Sequence, residues 1–421
     1  MKDDKVVIED ELRDQFTTFV IDQLQTDVLR TLESASVQTS MSDARKVQVF
    51  LCFEAWLIPE MKEQVKKALH NMNLISLCFS ELYSETSSCG EEASEAIYAL
   101  LSIFDDSGKY LELFNVILTK IKEGLPFLDR LLKENDVENV KGYMYIVDGL
   151  VRKIFREMIM RPDSDDVKLI LQDIYLKIFK GSDVSLASSA AASLSSFLKR
   201  LSGEFDDDSD DFEEIDSVPV ASATALAEMR KRFALTHMNI WKEIVETSLI
   251  QSRMEERHLR YFDTHSIGTD DDEREFEEKN NERRDIQSLL VRITNSIGFM
   301  AIFTWIALPL SSTLKSMEEE QKIHGSGNIS IELLLRFEGE LHCVLCVLRG
   351  KDIEGIGHNR NSSSITSDTE QIMKTGTQLL ELLLKFEDAV HDVLCLTKDL
   401  VRLNLSNVFK SFGDDGLRGE L

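Results

Sequence analysis

Histidine and cysteine side chains late in the chain are the residues best suited to bind a transition metal. They are His342, Cys343 and Cys346, followed by His391 and Cys395. Zinc takes four nitrogen or sulfur ligands in a tetrahedral array, most often from Cys-x-x-Cys pairs on loops. A cysteine within an amphipathic helix is ordinarily a small apolar core residue. Because these residues lie in helical patterns, the sequence favours core packing over a zinc site and predicts no metal and no cofactor.

Two related segments carry these residues. Residues 332–347 read ELLLRFEGELHCVLCV and residues 381–396 read ELLLKFEDAVHDVLCL, an offset of 49 with ten of sixteen positions identical. Each copy has apolar residues at helical spacing, and in the first copy they are Leu334, Phe337, Leu341 and Leu345. A helical unit that returns after about 40–50 residues is typical of HEAT and armadillo solenoids.

The rest of the sequence has the same helical rhythm. Strand patterns are scarce, and the five prolines mostly fall where a helix would begin or end. We therefore predict an all-α fold, an α-solenoid of HEAT/armadillo-like helix pairs. Helices are expected near residues 6–34, 44–57, 62–83, 91–104, 109–122, 127–134, 137–160, 164–180, 184–202 and 222–253.

Two acidic runs interrupt this rhythm and suggest the domain organisation. Glu204–Asp216 has nine acidic residues in thirteen, and Asp270–Glu278 has seven in nine before a long helix that ends near Ile297. Blocks of like charge repel themselves, so both runs are expected to be exposed loops. The predicted organisation is a first repeat block at 1–203, an acidic loop at 204–221, a second repeat block at 222–403 and a polar tail at 404–421.

The acidic loops are the predicted partner-binding sites, since carboxylates attract Lys- and Arg-rich segments over long range. A solvated insertion without a partner is the alternative. The candidate binding residues are Glu204, Asp206, Asp207, Asp208, Asp210, Asp211, Glu213, Glu214, Asp270, Asp271, Asp272 and Glu273.

Net charge limits the classes of partner. The formal charge of −27 opposes direct binding to the phosphate backbone of nucleic acids and suits proteins with basic segments, although acidity can also serve solubility alone. The longest apolar run, Ile297–Leu310, is too short to span a bilayer, and no membrane partner is expected. Cysteines without a secretory signal indicate a reducing compartment.

Enzyme motifs are not found in the sequence. It has no Gly-rich phosphate loop followed by Lys-Ser/Thr, no His-Glu-x-x-His and no Gly-x-Ser-x-Gly. We therefore predict that the chain is not an enzyme.

Several helical segments resemble β-karyopherins of the importin-13 and transportin-SR group. The segment VFLCFEAW (49–56) is similar to that group's V-F-x-C-x-x-x-W helix, and EAIYAL (95–100) resembles a later helix. The segment 137–155, the Ser-Ile-Gly at 296–298 and the first repeat copy follow in the same order. Phe197 without a neighbouring tryptophan, Leu51 and Glu277 depart from the group's pattern.

The resemblance implies a nuclear transport receptor, or a fragment of one, that binds protein cargo for import through the nuclear pore. The matching segments correspond only to the family's middle repeats, and the N-terminal module with which the family usually binds Ran is not among them. Ran is still an expected partner, and nucleoporins are further expected partners. The implied localisation is cytoplasm and nucleus. The alternative is an acidic HEAT-repeat scaffold or adaptor unrelated to transport.

Overall fold

The computed structural model describes residues 26–37, 41–57, 63, 66, 69–85, 87–104, 110–202, 220–255, 258, 270–324 and 329–351. Across these residues the regular structure is helical and contains no strand, which confirms the predicted all-α class. The chain divides into two compact units, Met1–Ile170 and Leu171–Leu421. The division falls within a helix, whereas the sequence suggested a boundary at 204–221.

The first unit contains a series of helices of moderate length. Residues 26–36 are helical and a 3-10 turn lies at Leu69–Asn71. The helices are α1 (Asp43–Trp56), α2 (Asn73–Leu82), α3 (Gly90–Ser102), α4 (Leu111–Glu123), α5 (Leu125–Glu134) and α6 (Val137–Met160). Helix α7 (165–179) follows, with π-helical geometry over Leu169–Leu176.

The core of the first unit forms because each helix buries one apolar face. Helix α3 packs against α1, α2 and α6, while α6 also packs against α4 and α5. In α4 the buried face follows the helical repeat and consists of Leu113, Phe114, Ile117, Leu118 and Ile121. Aromatic rings extend this core, with the Tyr83 ring centroid 5.1 Å from that of Phe127 and the Tyr143 hydroxyl donating to the Ile121 carbonyl at 2.9 Å.

Local signals explain where α5 and α6 begin and end. Pro126 occupies the first turn of α5, where a missing N–H costs nothing. Asn135 ends that helix in the left-handed conformation at φ 56°. The Asp136 carboxylate then accepts from the Asn139 backbone N–H at 3.3 Å, which caps α6.

The second unit contains the longer helices. They are α8 (Val184–Ser202), α9 (Val220–Thr236), α10 (Met238–Gln251), α11 (Asp270–Ile297), α12 (Phe299–His324) and α13 (Ile331–Lys351). Helix α8 packs along α11, and α13 packs against α10, α11 and α12. Small buried residues line α8, including Ala187, Ala190 and Ala191, so a partner helix can approach closely. The Ser195 and Ser288 hydroxyls meet at 3.0 Å across α8 and α11.

Two predicted helices differ from the observed ones. The segment 62–83 is not one helix, because the 3-10 turn Leu69–Asn71 and extended Met72 precede α2. The segment 222–253 is divided at His237 into α9 and α10, and α9 already begins at Val220 within the predicted acidic loop. Pro309 lies inside α12, so this proline does not mark a helix boundary.

The apolar positions of the first repeat copy form part of the core. Leu334, Phe337, Leu341 and Leu345 are all at most 3% exposed in α13, as the spacing predicted. The second copy, 381–396, lies outside the described residues. No described helix is both long and apolar enough to cross a membrane.

Candidate functional site

The first acidic run lies outside the described residues. Its candidate binding residues are Glu204, Asp206, Asp207, Asp208, Asp210, Asp211, Glu213 and Glu214. The second run, Asp270–Glu278, is not a loop as predicted. It forms the first turns of α11. Carboxylates in the first turn of a helix interact favourably with its positive end, which offsets part of their mutual repulsion. The candidate residues Asp270, Asp271, Asp272 and Glu273 therefore lie on a helix start.

Exposure and pairing decide which of these carboxylates can reach a partner. Asp271 and Glu278 flank Arg274, at 3.5 Å and 3.9 Å between charged atoms, and all three side chains are at least 60% exposed. Ion pairs this exposed contribute little to stability. Glu273 and Glu277 are also exposed. The start of α11 therefore offers a cluster of solvated carboxylates with one arginine among them.

An apolar contact holds this acidic turn in place. Phe276 is partly buried and packs with Ile331 against the buried side chains of Met254 and Leu335. These residues come from the start of α11, the start of α13 and the segment after α10. The carboxylates around Phe276 are therefore presented from a packed helix, and this contact joins residues that are distant in sequence.

Buried charges lie one turn further along α11. Lys279 donates to the Gln251 carbonyl and to the Glu282 carboxylate, each at 2.6 Å, and its side chain is 5% exposed. Arg283 pairs with Glu338 of α13 at 2.7 Å. Burial raises the pKa of Glu282, although the neighbouring Lys279 opposes that shift. The exposed carboxylates at the start of α11 are therefore followed, on the same helix, by buried and paired charges.

Glu340, two residues after Glu338, faces different partners. Its carboxylate lies 2.9 Å from Arg336 Nε and 3.9 Å from Arg253. Gly339 between the two glutamates lies against the Arg253 backbone, because an added methyl group there would be 3.0 Å from Arg253 Cα. The Glu-Gly-Glu of 338–340 therefore joins α13 to α11 and to Arg253, just after α10.

The histidine and the two cysteines of the first repeat copy make two different sets of contacts. Cys343 is fully buried, with its Sγ 3.2 Å from the Ser252 hydroxyl, and burial raises its pKa to about 12. Cys346 Sγ lies 3.5 Å from His342 Nε2. Glu338, His342 and Cys346 follow one another at four-residue spacing. Among the described residues, however, neither these three side chains nor Cys343 belongs to a group of three ligands close enough to hold a metal ion. His391 and Cys395 lie outside the described residues.

A different ligand set was not found by sequence reasoning. Asp43, Glu81 and Cys89 bring potential ligand atoms within 4.8 Å of one another. The Lys46 ammonium already lies between the two carboxylates, at 2.9 Å from Glu81 and 3.3 Å from Asp43. It supplies the positive charge that this cluster requires. Asp43 belongs to α1, Glu81 to α2, and Cys89 immediately precedes α3, so no sequence spacing could have indicated the cluster.

Comparison of the sequence with known proteins finds no relative. No protein-family model matches it, and no curated protein is significantly similar to it in sequence.

Proposed function

We propose that this chain is a protein-binding scaffold of stacked helix pairs, which holds a protein cargo with basic segments as a nuclear transport receptor or a part of one. The observation that carries the proposal is a recurrent packing pattern. Among the described helices, several contact the helix two positions further along, as α1 with α3, α2 with α4 and α4 with α6 in the first unit, and α10 with α12 and α11 with α13 in the second. Other pairs, including α3 with α6 and α8 with α11, are three positions apart. In HEAT arrays equivalent helices of neighbouring repeats lie side by side, so this pattern supports stacked repeats.

Charge supports the class of cargo. The chain carries a net charge of −27, and the start of α11 exposes Glu273 and Glu277. A protein segment rich in lysine or arginine would be attracted over long range and held by several weak contacts. Binding of this kind is reversible, as a carrier requires.

Transport itself is proposed from the family resemblance of 49–56, 95–100 and 137–155. On this proposal the chain acts in cytoplasm and nucleus, with Ran and nucleoporins as further partners. An acidic HEAT-repeat scaffold or adaptor is the second candidate, and the recurrent helix packing supports it equally. Neither function requires catalysis or a cofactor.

A charge-reversal experiment tests the cargo surface. We expect a fluorescein-labelled Lys/Arg-rich peptide to bind the full chain, and the variant Glu273→Lys/Glu277→Lys to bind it about tenfold more weakly, since each exposed pair is worth up to about 1 kcal/mol. The control Glu228→Lys/Glu319→Lys makes the same charge change at exposed positions elsewhere. Equal loss in both variants would show a nonspecific effect of net charge and reject the α11 surface.

Nucleotide dependence separates the two candidates. In a pull-down with purified Ran, capture by the GTP-loaded but not the GDP-loaded form, with release of bound cargo, supports a transport receptor. Cargo binding that is indifferent to Ran and its nucleotide supports a scaffold. Failure to bind any basic segment would reject both.

A further inference from the structure

An exposed stripe on α6 differs in charge from most of the molecule. Tyr145, Arg152 and Arg156 occur at i, i+7 and i+11, which places them on one face of the helix, and all three are exposed. Tyr145 is 58% exposed. Among the described residues neither guanidinium is paired with a carboxylate. By contrast, several arginines elsewhere form ion pairs, including Arg30, Arg130, Arg274 and Arg283.

Close packing of α3 on α6 adds a second tyrosine to this stripe. A methyl group at Gly149 would lie 3.1 Å from Leu101 Cδ1, so the glycine permits a close helix approach. The approach places the Tyr98 ring beside that of Tyr145, with centroids 4.5 Å apart and planes tilted by 36°. The surface therefore combines a pair of adjacent aromatic rings with two arginines along the same helix.

Helix stability alone does not account for the two arginines. Basic residues stabilise the last turn of a helix through its dipole, but Arg152 lies two turns before the end of α6 at Met160. Tyrosine and arginine are, together with tryptophan, the residue types enriched in the energetic centres of protein interfaces. In a chain of net charge −27, unpaired exposed arginines are suited to a carboxylate supplied by another molecule.

We propose that Tyr98, Tyr145, Arg152 and Arg156 form a docking surface for an acidic amphipathic helix of a partner protein. Two carboxylates of that helix, four residues apart, would pair with Arg152 and Arg156, whose Cα atoms are about 6 Å apart along α6. An apolar side chain of the partner would cover the tyrosine pair. This surface has the opposite charge preference to the acidic start of α11, so it would bind a second partner and does not depend on the proposed function.

Nucleic acid is a less favourable occupant. Arginines interleaved with aromatic rings can stack on unpaired bases, yet a polynucleotide carries a phosphate at every nucleotide and would be repelled by the chain's overall charge. A short protein segment with few carboxylates experiences less repulsion and can bury apolar area against the rings.

Selection from a displayed library of random 16-residue peptides tests the proposal with the full chain. Peptides are selected on the wild-type protein and counterselected on Arg152→Glu/Arg156→Glu. We expect the retained peptides to be enriched in Asp and Glu four residues apart, with apolar residues at helical spacing. In fluorescence anisotropy the variant should bind them at least about tenfold more weakly. Peptides in which lysine replaces the selected glutamates should bind the variant more tightly than the wild-type protein.

A matched variant and a competitor make the result decisive. Arg45→Glu/Arg232→Glu changes the charge equally at exposed sites elsewhere and should bind the selected peptides like wild type. Unchanged circular dichroism and melting temperature establish that each variant is folded. Peptides without acidic enrichment, equal losses in both variants, or stronger binding of a single-stranded oligonucleotide to the stripe would overturn the proposal.

Discussion

Arg283 of α11 and Glu338 of α13 form an ion pair of 2.7 Å with side chains only 6% and 1% exposed. Two charges withdrawn from water stabilise a structure only as long as they remain paired, because an unpaired buried charge is far more costly than a neutral residue. The pair therefore ties the acidic surface of α11 to the first repeat copy. It also makes the second unit sensitive to single substitutions at this place.

Replacing Glu338 by glutamine should destabilise the second unit by about 3–5 kcal/mol, because Arg283 keeps its charge and loses the compensating carboxylate. Urea unfolding followed by tryptophan fluorescence, to which buried Trp241 of the second unit contributes, measures the change. The double variant Arg283→Met/Glu338→Leu should recover most of the loss. Glu278→Gln, in an exposed pair with Arg274, should change stability by less than about 1 kcal/mol. Equal effects of Glu338→Gln and Glu278→Gln would contradict the burial of this charge.

Gly339→Ala should destabilise by about 1–3 kcal/mol, because the new methyl group would lie 2.9 Å from Arg253 Cγ and 3.0 Å from its Cα. The control is Gly142→Ala, in α6, where the nearest atom would be Ser94 Oγ at 3.7 Å. Alanine is the better helix former, so the control should be neutral or stabilising by up to about 1 kcal/mol. Thermal unfolding compares the two variants, and a neutral Gly339→Ala would argue against the close approach of α13 and Arg253.

Ala191→Leu should destabilise the packing of α8, because Ala191 is fully buried on a helix that lies along α11. Overpacking typically costs about 1–3 kcal/mol. The neighbouring residue Ala192 is exposed, so Ala192→Leu is a control with the same chemical change in the same helix. The denaturant midpoints of the two variants are compared. Similar midpoints would contradict the close packing of α8 at Ala191.

The stability of the second unit should fall at alkaline pH partly because of Cys343, whose pKa burial raises to about 12. An unfolded thiol ionises near pH ~8.5, so the unfolded chain releases this proton first. The stabilising contribution is present below that pH and is lost as the pH rises toward the folded value, by about 1.4 kcal/mol per pH unit. Cys343→Ala should therefore show a shallower decline than wild type between about pH 9 and pH 11. Parallel profiles would be inconsistent with a buried thiol.

Thiol labelling should separate the cysteines by burial. Cys78 and Cys343 are fully buried, whereas Cys52 is partly exposed. We expect a maleimide to modify Cys52 rapidly, and the other two only at the rate at which the protein opens. Peptide mass spectrometry after timed quenching resolves each site. Cys52→Ser should remove the fast modification among these three, and rapid labelling of Cys343 in native buffer would disprove its burial.

Helix positions were largely determined by local sequence. The segments predicted at 137–160 and 184–202 coincide with α6 and α8, since amphipathic spacing, the Asp136 cap and the turn at Asn135 act within a few residues. The apolar face of the first repeat copy was predictable for the same reason. These features require no knowledge of the packing partner.

Other features depend on residues distant in sequence. The run Asp270–Glu278 suggested a self-repelling loop, yet it is helical, with Phe276 packed beside Met254 and Leu335. The Lys46, Asp43 and Glu81 cluster joins side chains from two helices, and the pairing of Tyr98 with Tyr145 depends on the close approach at Gly149.

The sequence by itself determined the all-α class, most helix boundaries and the acidic character of the chain. Tertiary structure decided which charges are buried, with Glu338 paired to Arg283 and Glu273 left in solvent, although both are glutamates on helices. The physical reason is that helical periodicity is a local property of the backbone. Desolvation and ion pairing depend instead on which side chains a neighbouring helix places beside the charged group.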